Sequence, residues 1–255
     1  MTPAEQVATW LHKARRVLFI TGAGLSAESG LPTYRGVGGL YEDAETPEGV
    51  TIEQALSGGM LRRHPALCWK YIAQIEQACR GAEPNRAHGL IAAFQDRLET
   101  WVLTQNVDGF HGRAGSRNII PIHGDIHQLY CPNCRWDEEV VDYAHLQLPP
   151  HCPRCQSIIR PRVVLFGEML PPMAMNRFNE QLQKGFDLVF SVGTSSGFSY
   201  IAQPIVMAIS RGVPTVEINP GTTPVTPLVR LRFSCGAVEA LESIWRVWSV
   251  KAREI

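Results

Sequence analysis

Short continuous runs of apolar residues recur along the chain, and each is followed by polar or glycine-rich residues. The runs cover residues 17–20, 100–104, 188–192 and 215–218. A strand buried on both faces of a parallel sheet has such a pattern, and the spacing suits alternating strands and helices. At the N-terminus, Thr2 and Glu5 have the spacing of a capping box and predict a helix over residues 3–14. The chain is therefore predicted to be an α/β protein with a Rossmann-type, doubly wound parallel sheet.

Two stretches interrupt this alternation and predict a second, smaller domain. Residues 36–85 begin with a glycine-rich, acidic loop and continue as helices around 52–56 and 65–79. Residues 126–162 contain four cysteines and many prolines with little periodicity, which favours a module ordered by zinc. We assign both stretches to the smaller domain, which is zinc-binding and helical. The Rossmann-type domain then comprises residues 1–35, 86–125 and 163–255.

The composition excludes several classes of function. The 255 residues include 24 Lys plus Arg and 24 Asp plus Glu, so no overall charge attracts nucleic acid or an anionic membrane. The N-terminus has no signal-peptide pattern, and no apolar run reaches the ~18 residues of a membrane-spanning helix. We therefore expect a cytoplasmic protein that binds neither membranes nor nucleic acid directly.

Two pairs of cysteines have the spacing of a zinc site. Cys131 and Cys134 form one CxxC pair, and Cys152 and Cys155 form the second. Each pair can sit on a knuckle turn, so that four thiolates meet at the corners of a tetrahedron. A catalytic or redox pair is the alternative, but four thiolates leave no coordination position open for a substrate. The pattern predicts one structural zinc ion.

The first apolar run leads into a glycine-rich turn. Gly22, Ala23 and Gly24 begin a G-x-G-x-x-A sequence, whose small residues let the backbone approach a pyrophosphate at the start of a helix. A tight strand-to-helix turn without a ligand is the alternative. A hydride-transferring dehydrogenase would add an acidic residue at the end of a second strand, about 20 residues later. Residues 38–43 are loop-like instead, which disfavours that class.

Polar residues follow two further strand-like runs. Gln105, Asn106 and Asp108 come directly after one run, and His123 follows another. Open α/β sheets bind ligands at the carboxyl ends of their strands, so we predict a polar pocket there. Asn106 and Asp108 as plain turn-forming residues are the alternative. The imidazole of His123, with an ordinary pKa of about 6.5, can accept a proton near neutral pH.

Taken together, these motifs resemble the sirtuin (Sir2) family of NAD-dependent protein deacylases. The resemblance is carried, in the family's order, by residues 22–36 (GAGLSAESGLPTYRG), 104–108 (TQNVD), His123-Gly124, the four cysteines, 160–171 (RPRVVLFGEMLP), 193–195 (GTS) and 217–219 (EIN). It covers most of the chain. It implies that NAD is a consumed co-substrate and that an acyl group is removed from a lysine side chain. Nicotinamide, 2'-O-acyl-ADP-ribose and free lysine would be the products.

The resemblance assigns roles to individual residues. Asn106 would be catalytic by orienting ribose and water, and His123 would be the general base that acts on the ribose hydroxyls. The NAD-binding residues would be Gly22, Ala23, Gly24, Tyr34, Arg35, Gln105, Asn106, Asp108, Gly193, Thr194, Ser195, Asn219 and Ala237. The acyl-lysine protein or peptide would bind as an added β-strand. Its contacts would be Val163, Val164, Phe166, Gly167 and Glu168.

The acyl preference is predicted from a departure within the family pattern. The glycine segment and Thr46-Pro47 are most similar to the bacterial subclass that includes desuccinylases, in which a Tyr-x-x-Arg pair holds an acidic acyl chain. Here Tyr71 and Gln74 occupy that place, and Gln74 cannot neutralise a carboxylate. We therefore predict that acetyl groups are preferred to succinyl groups. The alternative is that both are ordinary residues of a helix that faces the cleft.

Two other functions stay open at this point. An enzyme could cleave NAD by the same first step and pass ADP-ribose to a protein or to water, as an ADP-ribosyltransferase or an NAD glycohydrolase. Alternatively, the cysteines could belong to a zinc-ribbon binding module with basic and aromatic residues around the metal. Asp137, Glu138 and Glu139 make this segment acidic instead.

Overall fold

The structure, a computed structural model, describes residues 1–32 and 45–250. The strands within these residues are β1 (Arg16–Thr21), β2 (Glu99–Thr104), β3 (Ile119–Pro121), β4 (Gly124–Tyr130), β5 (Asp137–Glu139), β6 (Arg160–Val163), β7 (Leu188–Val192), β8 (Thr215–Ile218) and β9 (Leu231–Phe233). The α-helices are α1 (Pro3–Lys13), α2 (Ala23–Ser26), α3 (Ile52–Ala55), α4 (Gly58–Arg63), α5 (Pro65–Cys79), α6 (Arg86–Ala93), α7 (Phe110–Arg113), α8 (Pro172–Lys184), α9 (Ser199–Ser210) and α10 (Ala237–Val250). Short 3-10 helices cover Ala27–Ser29 and Phe94–Asp96.

Six of these strands form a parallel sheet in the order β3-β2-β1-β7-β8-β9. From β1 the chain adds β2 and β3 on one side, and it later returns to place β7 on the other side of β1. The loops that leave β1 and β7 therefore lie at the switch point of the sheet, where doubly wound folds bind ligands. The predicted doubly wound sheet is confirmed.

Helices cover both faces of the parallel sheet. Val17 and Phe19 of β1 pack with residues of α1, α6 and α10, whereas Leu18 and Ile20 pack with residues of α8 and α9. All four side chains are fully buried. A strand that is covered on both faces needs apolar residues at every position, which explains the continuous run in the sequence.

A capping box and a proline determine where the N-terminal helix α1 begins. The amide of Glu5 donates to Oγ1 of Thr2 (3.2 Å), and the Glu5 carboxylate accepts from the Thr2 amide (2.7 Å). Pro3 occupies the first helical position, where the missing N–H costs nothing. The helix ends at Lys13, one residue before the predicted end, because Ala14 is extended.

A second core joins the helical segment to the cysteine-containing segment. Trp69 and Ile72 of α5 pack with Ile126 and Leu129 of β4, and the Trp69 indole N–H donates to the Ile159 carbonyl (3.0 Å). The antiparallel sheet β5-β4-β6 lies in this region, where the sequence pattern did not indicate strands. All three residues of β5 are exposed, so no apolar alternation marks that strand. The exact division into two domains stays a prediction.

No helix in residues 1–32 and 45–250 combines the length and the apolar character that are needed to cross a membrane.

Candidate functional site

The glycine-rich turn lies at the switch point of the parallel sheet. The Gly22 amide donates to the Val192 carbonyl (3.1 Å), and the Gly24 amide donates to the Gly193 carbonyl (2.8 Å). A Cβ at Gly22 would lie 2.8 Å from Cβ of Thr194, and a Cβ at Gly24 would lie 2.8 Å from Cα of Gly193. Only glycine therefore lets the loops after β1 and β7 touch.

Polar side chains that follow β2 reach this turn. Nδ2 of Asn106 donates to the Gly22 carbonyl and to Oγ of Ser26, each at 3.0 Å. Ser26 donates to Oδ2 of Asp108 (2.7 Å), and Oδ1 of Asp108 accepts from the Phe110 amide (3.0 Å). Burial raises the pKa of Asp108, which is 4% exposed, and these two hydrogen bonds oppose the shift. The network fixes the loop after β2 against the glycine turn.

Gln105 joins the loops after β2 and β7. Its Nε2 donates to Oγ1 of Thr194 (2.6 Å) and to the Thr21 carbonyl (3.3 Å). The same Thr194 oxygen accepts from the Ser196 amide (3.1 Å). The structure thus brings together most of the predicted pocket, namely Gly22, Ala23, Gly24, Gln105, Asn106, Asp108, Gly193 and Thr194.

Three further residues that were predicted to bind NAD lie in the segments after β7, β8 and β9. Asn219 follows β8, and its Nδ2 donates to the Thr194 carbonyl (3.0 Å). Ser195 is exposed beside Thr194. Ala237, the first residue of α10, is buried. Tyr34 and Arg35, and the loop at residues 38–43, lie outside the described residues.

His123 lies between β3 and β4 and is oriented by a backbone carbonyl. Its Nδ1 is 3.0 Å from the carbonyl oxygen of Gln105, and because a carbonyl only accepts, Nδ1 carries the proton. Nε2 therefore has the free lone pair, and it lies 2.7 Å from Oη of Tyr200. Burial lowers the pKa of His123, although the bond to the Gln105 carbonyl raises it. The ring is neutral near pH 7 and can accept a proton at Nε2.

The four cysteines converge as the sequence predicted. The Sγ atoms of Cys131 and Cys155 lie 3.5 Å apart, those of Cys134 and Cys152 lie 3.4 Å apart, and all four lie within 4.8 Å. Zinc–sulfur bonds of ~2.3 Å in a tetrahedron give sulfur separations of about 3.8 Å, so the site fits one zinc ion.

Two matching turns support this zinc-binding arrangement. The Asn133 amide donates to Sγ of Cys131, and the Arg154 amide donates to Sγ of Cys152, each at 3.4 Å. The residue after each pair has a positive φ, 62° at Arg135 and 61° at Gln156. Each knuckle thus turns back at the same point and presents its two sulfurs on one side.

The predicted substrate segment is a strand only as far as Val163. The Val164 amide donates to the His123 carbonyl (2.9 Å), which places this segment beside the candidate base. The Phe166 amide donates to the Leu56 carbonyl (2.9 Å), and the Phe166 carbonyl accepts from the Gly58 amide (3.1 Å). Both backbone groups of Phe166 are therefore occupied, while its side chain stays 38% exposed.

A turn then closes the segment. The Glu168 amide donates to the Leu165 carbonyl (3.0 Å), and Gly167 supplies the positive φ of 78° that this turn needs. The Glu168 carboxylate pairs with the Arg160 guanidinium through bonds of 2.6 and 2.7 Å. Burial alone would raise the pKa of Glu168, but the hydrogen bonds from Arg160 and the Leu165 amide outweigh it and lower this pKa. Glu168 thus stabilises the turn.

Tyr71 and Gln74 lie on α5, but the hydroxyl of Tyr71 is engaged within the protein. Tyr71 is 3% exposed and donates to the carboxylate of Glu48, which also pairs with Lys70. Hydrogen bonds from Lys70 and Tyr71 lower the pKa of Glu48 to about 2, so this carboxylate is ionised at neutral pH. Gln74 is half-buried.

Two residues of the site were missed from the sequence. Ser26 bridges Asn106 and Asp108, and its signal was a hydroxyl within the glycine motif itself. Tyr200 touches His123, and no sequence motif marked this contact, which joins residues 77 positions apart.

Comparisons with known proteins agree with this geometry. The model of the Sir2 family matches residues 22–199. NAD-dependent protein deacylase 2 of Pseudomonas aeruginosa is 48% identical over 247 residues, which cover 95% of this chain and 96% of the relative. The protein of the same name from Pseudomonas syringae pv. tomato is 49% identical over 243 residues, covering 94% of this chain and 98% of the relative.

Solved structures of Sir2 proteins have the same fold. A Sir2 homolog–NAD complex superposes with a TM-score of 0.85 at 31% identity, covering 96% of this chain and 94% of that chain. A Sir2–p53 peptide–NAD+ complex superposes with a TM-score of 0.83 at 27% identity, covering 98% of this chain and 100% of that chain.

Proposed function

The chain belongs to the Sir2 family, and on that premise we propose that it is an NAD-dependent protein-lysine deacylase. The observation that carries the proposal is the position of His123, a neutral imidazole whose backbone partner, Gln105, also bonds the loop after β7. The names of the two Pseudomonas relatives and the NAD and peptide complexes of Sir2 structures support the same activity.

The glycine turn lies at the switch point of the parallel sheet, where doubly wound folds bind dinucleotides, and this position supports NAD as the ligand. When bound, NAD supplies the ADP-ribosyl group that takes up the acyl chain. Gly22, Ala23 and Gly24 would hold the pyrophosphate, and Gly193, Thr194, Ser195 and Asn219 would contact the adenosine half. Gln105, Asn106 and Asp108 would line the pocket for nicotinamide and its ribose, and Ala237 would also contact NAD.

His123 would act as the general base of the reaction. Its Nε2 would take up the proton of a ribose hydroxyl, whose oxygen then attacks the carbon of the activated acyl group. The Gln105 carbonyl keeps the other ring nitrogen protonated, so the basic atom is defined. Asn106, held by the Gly22 carbonyl and Ser26, would orient the ribose and water.

The acyl-lysine peptide would enter beside the segment that carries Val163, Val164, Phe166, Gly167 and Glu168. Because the backbone of Phe166 is already bonded to Leu56 and Gly58, an added strand would have to use the neighbouring residues. Val164 is bonded to the residue that carries the base, so a peptide there would place its lysine near His123. Backbone recognition of this kind would tolerate many peptide sequences.

The zinc ion would be structural. Four thiolates complete its coordination, so it would hold the β4 and β6 ends of the antiparallel sheet together and contact no substrate. A reducing compartment keeps such thiolates available for metal, which is the basis for the proposed cytoplasmic location.

Replacement of His123 tests the activity. We expect wild-type protein with NAD and an acetyl-lysine peptide to yield 2'-O-acetyl-ADP-ribose, detected by mass spectrometry. His123→Ala should abolish this product while NAD binding, measured by calorimetry, stays largely intact. The matched control is His145→Ala, an exposed histidine that lies beside Asp142, which should keep full activity. A fully active His123→Ala variant would refute the assignment.

Product analysis also separates the rival functions. An NAD glycohydrolase would release free ADP-ribose, and an ADP-ribosyltransferase would leave a protein heavier by that group. Either result without 2'-O-acyl-ADP-ribose would replace the deacylase proposal.

We further propose that neutral acyl groups such as acetyl are preferred to succinyl. The ionised carboxylate of Glu48 already accepts the Tyr71 hydroxyl and pairs with Lys70, and Gln74 supplies no positive charge. Because Glu48 already engages Tyr71 and Lys70, a succinyl carboxylate would find no unpaired cation among these residues, which is unfavourable. Turnover of acetyl and succinyl forms of one peptide tests this, and faster desuccinylation would contradict it.

A further inference from the structure

The atom of His123 that accepts a proton already has a partner. Because Nδ1 donates to the Gln105 carbonyl, Nε2 is the ring atom with a free lone pair. Oη of Tyr200 lies 2.7 Å from Nε2, and the tyrosine hydroxyl must donate this bond, since Nε2 of the neutral ring has no hydrogen. A substrate hydroxyl can reach Nε2 only if the phenol moves away. Otherwise its proton has to pass through the phenol.

Packing holds the phenol where it is. The Tyr200 ring stacks on Phe198 with centroids 5.4 Å apart and an interplanar angle of 16°, and it meets the His123 ring edge-on at 6.0 Å. Tyr200 also lies in the first turn of α9 and packs against the core that contains Ile201 and Ile205. Displacing the phenol would break these contacts, which favours the route through it.

A phenol is suited to pass a proton because it donates and accepts at the same oxygen. Burial raises the pKa of Tyr200, so the hydroxyl keeps its proton at neutral pH. While Oη donates to Nε2, its lone pairs can accept from an incoming hydroxyl. Tyr200 is half-buried and the adjoining Phe198 is 46% exposed, so this aromatic pair extends from the base to the surface.

We propose that Tyr200 is a catalytic residue that relays the proton of the ribose hydroxyl to His123. The inference rests on the proposed deacylase function. The O–H bond of the ribose hydroxyl breaks as its proton moves to Oη, and the original Oη proton moves to Nε2. Tyr200 ends neutral and His123 ends as an imidazolium. The ribose oxygen attacks the acyl carbon with the electron pair that it keeps, while the carbon–nitrogen π pair of the activated acyl-lysine moves onto the lysine nitrogen.

Tyr200→Phe tests the relay because it removes one oxygen and keeps the ring that stacks on Phe198. A positioned proton transfer contributes roughly 10²–10⁴ in rate, so we expect kcat for deacetylation to fall by about 10²-fold. The KM for NAD and the thermal midpoint should stay close to those of the wild type. The matched control is Ser199→Ala, an exposed neighbour in the same turn, which should keep the wild-type kcat.

The double variant decides whether the two residues act as one unit. The reference is the trace of product that His123→Ala forms without a general base, collected over long incubations and counted by mass spectrometry. If the proton passes from Tyr200 to His123, adding Tyr200→Phe to His123→Ala should not lower this residual rate further. An unchanged kcat in Tyr200→Phe would overturn the relay, as would losses that multiply in the double variant. A lower KM for NAD with an unchanged kcat would show that the phenol merely occupies Nε2 until NAD displaces it.

Failure of the underlying function would look different. In that case the wild type would form no 2'-O-acyl-ADP-ribose, or His123→Ala would remain active. A wild type that deacylates, an inactive His123→Ala and a fully active Tyr200→Phe would reject the relay and leave the deacylase function standing.

Discussion

A single methyl group at Gly24 should destabilise the protein, because this glycine lies where the loops after β1 and β7 touch. A Cβ there would lie 2.8 Å from Cα, 2.9 Å from the carbonyl oxygen and 3.1 Å from the carbonyl carbon of Gly193. Carbon atoms pack at ~3.5–4.0 Å, so the backbone of one loop must retreat by roughly 0.5–1 Å. Retreat would also lengthen the Gly24–Gly193 hydrogen bond of 2.8 Å.

Overpacking of this kind costs about 1–3 kcal/mol. For a chain of this size, each kcal/mol shifts the thermal midpoint by about 2–4 °C, so Gly24→Ala should melt several degrees below the wild type. The matched control is Gly89→Ala within α6, where a Cβ meets no atom within 4 Å. Alanine is favoured over glycine in a helix by about 0.5–1 kcal/mol, so this variant should melt slightly higher.

Differential scanning calorimetry of the three proteins measures both shifts. Opposite signs at the two glycines are the expected result. Equal midpoints for Gly24→Ala and the wild type would show that the loops do not press together as described. Retained NAD affinity in a destabilised Gly24→Ala would separate the packing role of this glycine from its proposed role at the pyrophosphate.

Two further predictions concern acid stability and metal content. Burial lowers the pKa of His88 to about 4 and that of His111 to about 3, whereas both bind protons below about pH 6.5 once unfolded. As the pH is lowered from 6.5 to 4, the free energy of unfolding should therefore decrease by up to about 1.4 kcal/mol per pH unit for each ring. Urea titrations at several pH values measure this slope, and His111→Gln should make it smaller. Equal pH dependence in that variant would count against the reasoning. A chromophoric zinc assay after denaturation should give one zinc per chain in the wild type and in Cys235→Ser, a cysteine outside the quartet, but little in Cys152→Ser. Full zinc content in Cys152→Ser would contradict the site.

Elements whose signal is local were predictable. The capping box of Thr2 and Glu5 marks the start of α1 by hydrogen bonds within one turn. Pro65 marks the start of α5 because its ring fixes a helical φ at the first position. Strands β7 and β8 have the predicted bounds because they are buried at every position, so the apolar run and the strand coincide. Strands β4 to β6 were not indicated, since β5 is wholly exposed and the β4–β6 register shifts between Asp125 and Leu129. Their pairing depends on the partner strand and on the cysteines.

The sequence by itself determined the fold class, the four zinc-ligand candidates and the residue types of the site. Those properties depend on periodicity and on spacings of a few residues, which the chain carries locally. Tertiary structure alone decided the contact between Gly24 and Gly193, the engagement of Tyr71 by Glu48 and the bond from Tyr200 to His123. Each joins residues far apart in sequence, and such pairs meet only where strand order and helix packing bring them together.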